Sequence, residues 1–344
     1  MDGYLAQEPV SVDHSLDPLD GSVDPEDFYV VLGSFEGEWQ VVRYSGVLEN
    51  TPFPKFSNEP SDLASLESKQ AMEEWGSSLS DSEYIAYVEE IKREIAAGWV
   101  YQVNACRLLR SESELNLAEL FSKIQDRHFA PAAGYFESDR WEVASASPET
   151  FFRVNLEEGK RQILTSPIKG TSRDGQFAAK DSAENVMIVD LMRNDISPLC
   201  EIGSVRVPRL LGVEEHPGLF HLVSDVVGEL RPEVSWKRIL ERLAPAGSIS
   251  GAPKSSALEM IKRFEPYRGA YCGTLGWIHR GQAHFSVLIR TFFKDKLRDP
   301  RQTFFGTGAG ITWGSDPEAE WRETELKAER LMALAARQLV VGKK

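Results

Sequence analysis

From residue 80 onward the chain alternates between two hydrophobic periods. Ser80 and Glu83 make an S-x-x-E capping box, and Tyr84, Ile85, Val88, Ile91 and Ile95 follow at helical spacing until Gly98 stops the helix. Residues 99–109, "WVYQVNACRLL", switch to a strand run, and residues 116–128 return to an amphipathic helix. The same reading gives a hairpin over 132–147, a strand over 151–156, a long helix over 176–196 and a strand over 219–230. Helices follow over 234–244 and 250–265, the second with Pro253 in its first turn. Residues 273–293 read as a hairpin turning at Arg280-Gly281, residues 303–312 as a glycine-rich strand end, and residues 316–339 as a closing helix. Upstream, residues 28–48 read as two short strands around a glycine turn, and residues 49–79 as a linker with one short helix. Residues 1–27 read as an acidic, proline-punctuated, loosely ordered arm. Hairpin-linked strands grouped between helices predict an α+β chain rather than a doubly wound parallel sheet.

Composition narrows the class. With 344 residues and 42% hydrophobic content, the chain can fill one large or two medium domains. A formal charge of −14 opposes a phosphate backbone, so nucleic acid is not expected as a partner. No run approaches the roughly 18 apolar residues of a membrane span, and the acidic start lacks the basic-then-apolar order of a secretory signal. A soluble cytoplasmic protein with no membrane partner is expected. The three cysteines, Cys106, Cys200 and Cys272, are widely spaced with no C-x-x-C, which argues against a disulfide framework or a zinc site. None sits in a nucleophile context: Cys106 is mid-strand, Cys200 follows Pro198-Leu199, and Cys272 lies between Tyr271 and Gly273.

Several residues carry candidate chemistry. Asp181 and Glu184 are three apart on one predicted helix, and Glu320 and Glu323 on another, so each pair shares a helix face. Opposed, the two faces would make an oxygen-only site for a hard cation such as Mg²⁺. From spacing alone a solvated acidic face is the stronger reading, because 53 residues are Asp or Glu. Three glycine-rich turns, "PIKGTS" (167–172), "PAGSISGAPK" (245–254) and "GTGAGI" (306–311), could offer backbone N–H groups to an anion, or be structural turns. Neither a Walker motif nor a G-x-G-x-x-G leading into a helix is present. Lys169 stands at a kinked, glycine-flanked strand end. It is a surface lysine or, if burial or a nearby cation holds it neutral, a nucleophile. Glu149 ends an apolar run, where partial desolvation would suit a general acid. Arg290 is a charge inside an apolar strand and wants an anionic partner, which makes it a better binding candidate than His221, a strand histidine.

The order of the motifs is more specific than any one of them. "SASPE" (145–149), "PIKGTS" (167–172), "AENVMIVDLMRNDI" (183–196), "HLVSDVVGEL" (221–230), "PAGSISGAPK" (245–254), "GAYCGTLGW" (269–277), "VLIRT" (287–291) and "GTGAGITWGSDPEAEWRETELKAERL" (306–331) resemble the chorismate-utilising enzymes. That family includes anthranilate synthase component I, aminodeoxychorismate synthase component I, and the isochorismate and salicylate synthases. The resemblance covers residues 80–340 as a chorismate-binding catalytic domain and leaves residues 1–79 as a shortened N-terminal region. It implies a two-sheet mixed β sandwich surrounded by helices, as in anthranilate synthase component I.

Two positions sort the family. Gln102 stands where isochorismate and salicylate synthases carry a water-activating lysine. Lys169 stands where anthranilate synthases usually carry alanine, and "PIKGT" resembles the aminodeoxychorismate synthase component I pattern. This resemblance implies Mg²⁺-dependent amination of chorismate at C4 with ammonia, giving 4-amino-4-deoxychorismate for 4-aminobenzoate and folate synthesis. The ammonia would come from solution or a separate glutamine amidotransferase subunit. Lys169 would attack C2 and later leave, and Glu149 would protonate the departing C4 hydroxyl. Glu184 and Glu323 would hold Mg²⁺, with Asp181 and Glu320 acting through water or from further out. Tyr271, Arg290, Lys327 and the Gly308-Ala309-Gly310 backbone would hold the enolpyruvyl carboxylate, with Gln102, Gly170, Thr171, His221 and Ser248 around the ring. The alternatives are an anthranilate synthase component I, which aminates C2 and eliminates pyruvate, and a non-catalytic relative, whose mark would be loss of Glu149, Lys169, Glu184 or Glu323. The chain departs from the family in lacking an "LLES" tryptophan motif, and in Ser172 where arginine is frequent. Feedback by tryptophan is therefore not expected.

Overall fold

The structure is a computed structural model that describes residues 4–21, 23–55, 75–112, 115–127, 130–172, 174–216 and 219–341. The chain opens with β1 (Tyr4–Ala6), β2 (Pro9–Asp13), β3 (Phe28–Gly33), β4 (Trp39–Tyr44), β5 (Val47–Glu49) and β6 (Gly76–Ser77). Then come α1 (Asp81–Ala96), β7 (Gln102–Ser111), α2 (Leu117–Arg127), β8 (Gly134–Glu137) and β9 (Trp141–Ser145). Next are β10 (Thr150–Glu157), β11 (Lys160–Thr165), β12 (Ile168–Ser172), α3 (Ala179–Ile196), β13 (Arg206–His216) and β14 (Leu219–Glu229). The last third holds α4 (Trp236–Leu243), α5 (Gly247–Ser250), β15 (Gly251–Ala252), α6 (Lys254–Phe264), β16 (Thr274–His279), β17 (Gln282–Val287), β18 (Thr291–Asp295), β19 (Thr303–Ile311) and α7 (Pro317–Val341). No helix among the described residues is long and apolar enough to cross a membrane.

The larger sheet runs β12-β14-β11-β10-β17-β16-β3-β4-β2, with β13 beside β14. The smaller runs β15-β7-β19-β18-β9-β8, with β6 beside β7. The pairings along both are antiparallel. Period-two alternation along β9 and β18 separates two cores. Val143 and Phe293 face inward and join Val103 and Ala105 of β7 and Val31, Leu32, Phe152 and Phe285 of the larger sheet. Their neighbours Ala144 and Phe292 face outward with Leu109 and Phe305, under Leu120, Phe121 and Ile124 of α2 and Leu331, Met332 and Ala335 of α7. The α+β expectation therefore holds, as sheet, sheet and helix layers.

Local signals translate well. The Ser80 Oγ accepts the Glu83 N–H at 3.3 Å, and Glu83 Oε2 accepts the Ser80 N–H at 2.8 Å, closing the capping box of α1. Four expectations change. Residues 4–21 are not a loose arm: β2 pairs with β4, and Leu16 and Leu19 are buried. The larger sheet thus runs across position 79/80, because β2, β3 and β4 lie in one sheet with β16 and β17. The helix read from residue 250 begins at Lys254, with α5 and β15 ahead of it and Pro253 as its N-cap. Arg290 is not inside a strand, since β17 ends at Val287 in the larger sheet and β18 starts at Thr291 in the smaller. The short helix expected in the linker falls largely on 56–74, outside the described residues.

One buried ion pair ties these layers. Arg268 and Glu265 have side chains 1% exposed each. The Arg268 Nε and Nη2 donate to Glu265 Oε2 and Oε1 at 2.7 and 2.8 Å. Nη2 also donates to the Asn104 carbonyl of β7 at 2.7 Å, and the guanidinium lies 4.3 Å over the Phe35 ring. Glu265 Oε1 accepts the Tyr87 hydroxyl of α1 and the Cys106 N–H of β7, at 2.9 and 3.0 Å. Removing the cation strands a buried carboxylate, which costs about 3–5 kcal/mol. Arg268→Met is expected to lose that much stability in chemical denaturation; a loss under about 1 kcal/mol would contradict the role given to the pair.

Candidate active site

The two sheets exchange strands at two neighbouring corners, and these corners carry candidate residues. β9 passes to β10 through residues 146–149, and β17 passes to β18 through residues 288–290. The corners hold each other: the Ala146 N–H donates to the Arg290 carbonyl at 3.0 Å, the Val287 N–H to the Glu149 carbonyl at 3.1 Å, and the Ser147 Oγ to the Val287 carbonyl at 2.6 Å. Glu149 is thereby fixed at a strand junction and is 8% exposed. Burial raises its carboxyl pKa above the ordinary glutamate value, while the Lys169 charge and the Ser248 hydroxyl draw it partly back.

From Glu149 a continuous polar chain runs to Gln102. The Ser248 Oγ donates to Glu149 Oε1 at 2.7 Å. The Ser248 carbonyl accepts from Lys169 Nζ at 3.2 Å, and Lys169 Nζ lies 3.3 Å from Glu184 Oε1. Glu184 Oε1 also accepts from Gln102 Nε2 at 2.8 Å. The Gln102 Oε1 is buried with no hydrogen-bond partner among the described residues. Four elements supply these groups: β7 gives Gln102, β12 gives Lys169, α3 gives Glu184 and α5 gives Ser248. β12 shifts register against β14 between Ile168 and Thr171. Gly170 sits in that irregularity at φ +88, where a Cβ would stand 3.0 Å from the Asp181 Cβ.

A second group lies along β19. Lys327 Nζ of α7 donates to the Gly308 carbonyl at 2.9 Å and pairs with Glu323 Oε1 at 2.7 Å. A Cβ on Gly310 would come 2.4 Å from Gln102 Nε2 and 3.5 Å from Glu184 Oε1. The glycine-rich strand therefore joins the Lys327 end to the Glu184 end by letting side chains approach its backbone. The side chain of Ala309, between them, is buried in the core.

Arg290 stands at the corner with φ 52, half-buried, with no hydrogen bond or ion pair to its side chain among the described residues. Burial and the nearby Arg330 charge push its pKa below the ordinary arginine value, and no carboxylate offsets them. A guanidinium so placed gains from an anion.

The other expected site residues make contacts outside that chain of hydrogen bonds. Asp181 Oδ2 accepts the Ala178 N–H at 2.9 Å and so caps α3. Glu320 is half-buried, and its charge bears on Tyr84 of α1. The Tyr271 hydroxyl takes the Cys106 thiol as donor at 3.8 Å and faces the core, not the polar chain. His221 on β14 stands opposite Thr171 of β12 and Glu214 of β13. Among the described residues no three His, Cys, Asp or Glu gather as a metal cluster. Sequence reasoning missed Asn104, whose Nδ2 donates to the Ile249 carbonyl at 3.0 Å and so steadies the residue after Ser248. Its two-residue spacing from Gln102 on a strand was the available signal.

Comparisons with known proteins bear on the family and the fold. A family described as chorismate binding enzyme matches residues 27–333. Anthranilate synthase component 1 of Aquifex aeolicus is 33% identical over 346 residues, covering 96% of this chain and 68% of that protein. Aminodeoxychorismate synthase component 1 of Escherichia coli is 34% identical over 274 residues, covering 75% of this chain and 59% of that protein. The chain spans about two thirds or less of the length of these curated relatives. In fold, the crystal structure of anthranilate synthase component I from Streptococcus pneumoniae matches with TM-score 0.78 at 21% identity, over 96% of this chain and 92% of that one. The menaquinone-specific isochorismate synthase of Escherichia coli matches with TM-score 0.72 at 18% identity, over 97% of this chain and 86% of that one. With a family match over residues 27–333 laid on this site, the chain belongs to the chorismate binding enzymes.

Proposed function

We propose that the protein aminates chorismate at C4 with ammonia to give 4-amino-4-deoxychorismate, with Lys169 as nucleophile and Glu149 as general acid. The observation that carries this reading is the single-residue bridge between them. Ser248 receives Lys169 on its carbonyl and gives its hydroxyl to Glu149. An acid and an amine held by one residue can act on two positions of one small ring. Lys169 would attack C2 as the ring double bonds shift and the C4 oxygen leaves with the Glu149 proton as water. Ammonia would then add at C4 and expel the lysine from C2. To attack, Lys169 must give up a proton and turn away from its two acceptors, Ser248 and Glu184. Raised by burial, Glu149 is suited to hold a proton until the oxygen departs.

Glu184 and Glu323 fit Mg²⁺ in donor chemistry. Both are accessible carboxylates, with side chains 27% and 49% exposed, and each is paired with one lysine. With two protein carboxylates, water and substrate oxygens would complete the set, which Mg²⁺ accepts. Bound there, Mg²⁺ would supply positive charge for the ring carboxylate. Arg290 and Lys327 would meet the enolpyruvyl carboxylate. The three cysteines are buried, so ammonia would come from solution or from a separate glutaminase subunit.

A second reading is amination at C2 with loss of pyruvate. It is favoured by the relatives named anthranilate synthase component 1, whose identity to this chain, 33%, is close to the 34% of those named aminodeoxychorismate synthase.

Incubation with chorismate, Mg²⁺ and ammonium, followed by mass spectrometry, is expected to give 4-amino-4-deoxychorismate without pyruvate. Anthranilate released with pyruvate would overturn the first reading in favour of the second. Lys169→Ala should abolish that product or divert amination to C2, and an unchanged product and rate would remove the lysine from the chemistry. Glu149 makes a separate pH prediction. Its folded pKa lies above the unfolded value, so its protonated form favours the native state at low pH. That contribution fades as pH rises from the ordinary glutamate value through the raised one. Wild type should therefore lose stability relative to Glu149→Gln across that window in pH-dependent denaturation, whereas parallel profiles would contradict a raised pKa.

A further inference from the structure

Beside the polar chain, and unused by the reaction above, two thiols share one donor. Cys106 on β7 and Cys272 in the turn before β16 are each 1% exposed. The Asn104 Nδ2 lies 3.5 Å from the Cys106 Sγ and 3.9 Å from the Cys272 Sγ. The Cys106 thiol itself donates toward the Asn104 carbonyl at 3.6 Å and the Tyr271 hydroxyl at 3.8 Å. The third cysteine, Cys200, is in a separate place, in a backbone bridge to Leu230. Neighbouring sulfurs need little backbone motion to close a bond, provided their Cβ atoms can reach about 3.5–4.5 Å.

The two thiols are not equivalent. Burial alone would raise the Cys272 pKa, but the neighbouring Cys106 and the Arg268 charge bring it below the ordinary thiol value. Cys106 is pushed well above that value, by burial first and then by its neighbour Cys272. With its S–H directed at two oxygens, Cys106 suits the role of resolving thiol, and Cys272 that of first nucleophile, in the reaction proposed below.

We propose that Cys106 and Cys272 form a reversible dithiol–disulfide site, oxidised by hydrogen peroxide, that bears on the adjoining active site. The Cys272 thiolate attacks one peroxide oxygen and breaks the O–O bond, leaving a sulfenic acid and a hydroxide that takes up a proton to become water. Cys106 then attacks the sulfenic sulfur, its proton leaving with the hydroxide as a second water. Two thiols lose two electrons in total and one peroxide gains them. The coupling to the site is short. Cys106 pairs with Gly308, whose carbonyl holds Lys327. Asn104, which bonds both sulfurs, also holds the Ile249 carbonyl next to Ser248. Drawing the sulfurs to bonding distance pulls on both.

The test exposes the folded full chain to hydrogen peroxide, alkylates under denaturing conditions and maps peptides. Two of three thiols should be lost, the mass should fall by two hydrogens, and a peptide linking residues 106 and 272 should appear and vanish with dithiothreitol. Cys200→Ser should give the same linked peptide, and Cys272→Ser should not. Cys106→Ala serves the same purpose if the Cys272 variant does not fold. Three thiols retained, a sulfinic acid in place of the link, or dimers joined through Cys200 would overturn the proposal. Chorismate consumption, the one arm that rests on the proposed function, should fall several-fold on oxidation and recover on reduction. A linked peptide with unchanged consumption would overturn the coupling. A protein inert toward chorismate in both states would count against the proposed function, with the linked peptide still deciding the thiol site.

Discussion

The Arg268–Glu265 pair is the constraint on which the rest of the structure depends. Two charges with side chains 1% exposed are tolerable only because nearly every donor and acceptor is used. The partners come from β7, α1, the segment after β3 and the Ile249 carbonyl of α5. The pair therefore sets the position of β7 relative to α5. Gln102 sits on the first of these and Ser248 on the second, so the register of the polar chain is inherited from an ion pair that touches none of its members. Replacing the pair with apolar groups could preserve stability while releasing that register, which is where its value to the site lies.

The second organising feature is the exchange of strands between sheets. A strand leaving one sheet for another must turn sharply, and its backbone groups at the turn need new partners. At residues 146–149 and 288–290 each corner supplies partners for the other. This leaves the Glu149 and Arg290 side chains projecting from rigid backbone in half-buried or buried surroundings. The carboxyl gains a preference for its proton and the guanidinium for an anion from the same low-dielectric setting. The acid and the anion clamp proposed for this site would both follow from that one architectural device.

Much of this was legible in the sequence where the cause is local. The capping box at Ser80, the helical period after it and the glycine stop act within a few residues, and α1 forms as read. What failed depends on distant partners. Residues 4–21 look like a loose arm because β2 takes its pairing from β4, and the buried Leu16 and Leu19 join a core built by distant segments, with the turn over residues 17–19 against α4. Residues 206–216 show no strand period, being interrupted by Pro208 and Gly212, and β13 forms through its pairing with the distant β14. Arg290 read as a strand residue because sequence runs do not record a change of sheet. In the site, Glu149, Ser248, Lys169, Glu184 and Gln102, named from the motifs, lie in one chain of hydrogen bonds. Asp181, against Gly170, and Tyr271 answer demands a sequence does not display, a helix terminus lacking its cap and a core gap over Gly306.

The central claim is that the Lys169 amine forms a bond to the substrate ring. The most direct measurement is intact-protein and peptide mass spectrometry after quenching the protein with chorismate and Mg²⁺ in the absence of ammonium. The account predicts a mass gain of one chorismate less one water, located on Lys169 and discharged when ammonium is added. An unmodified Lys169, under conditions that give product once ammonium is present, would contradict it.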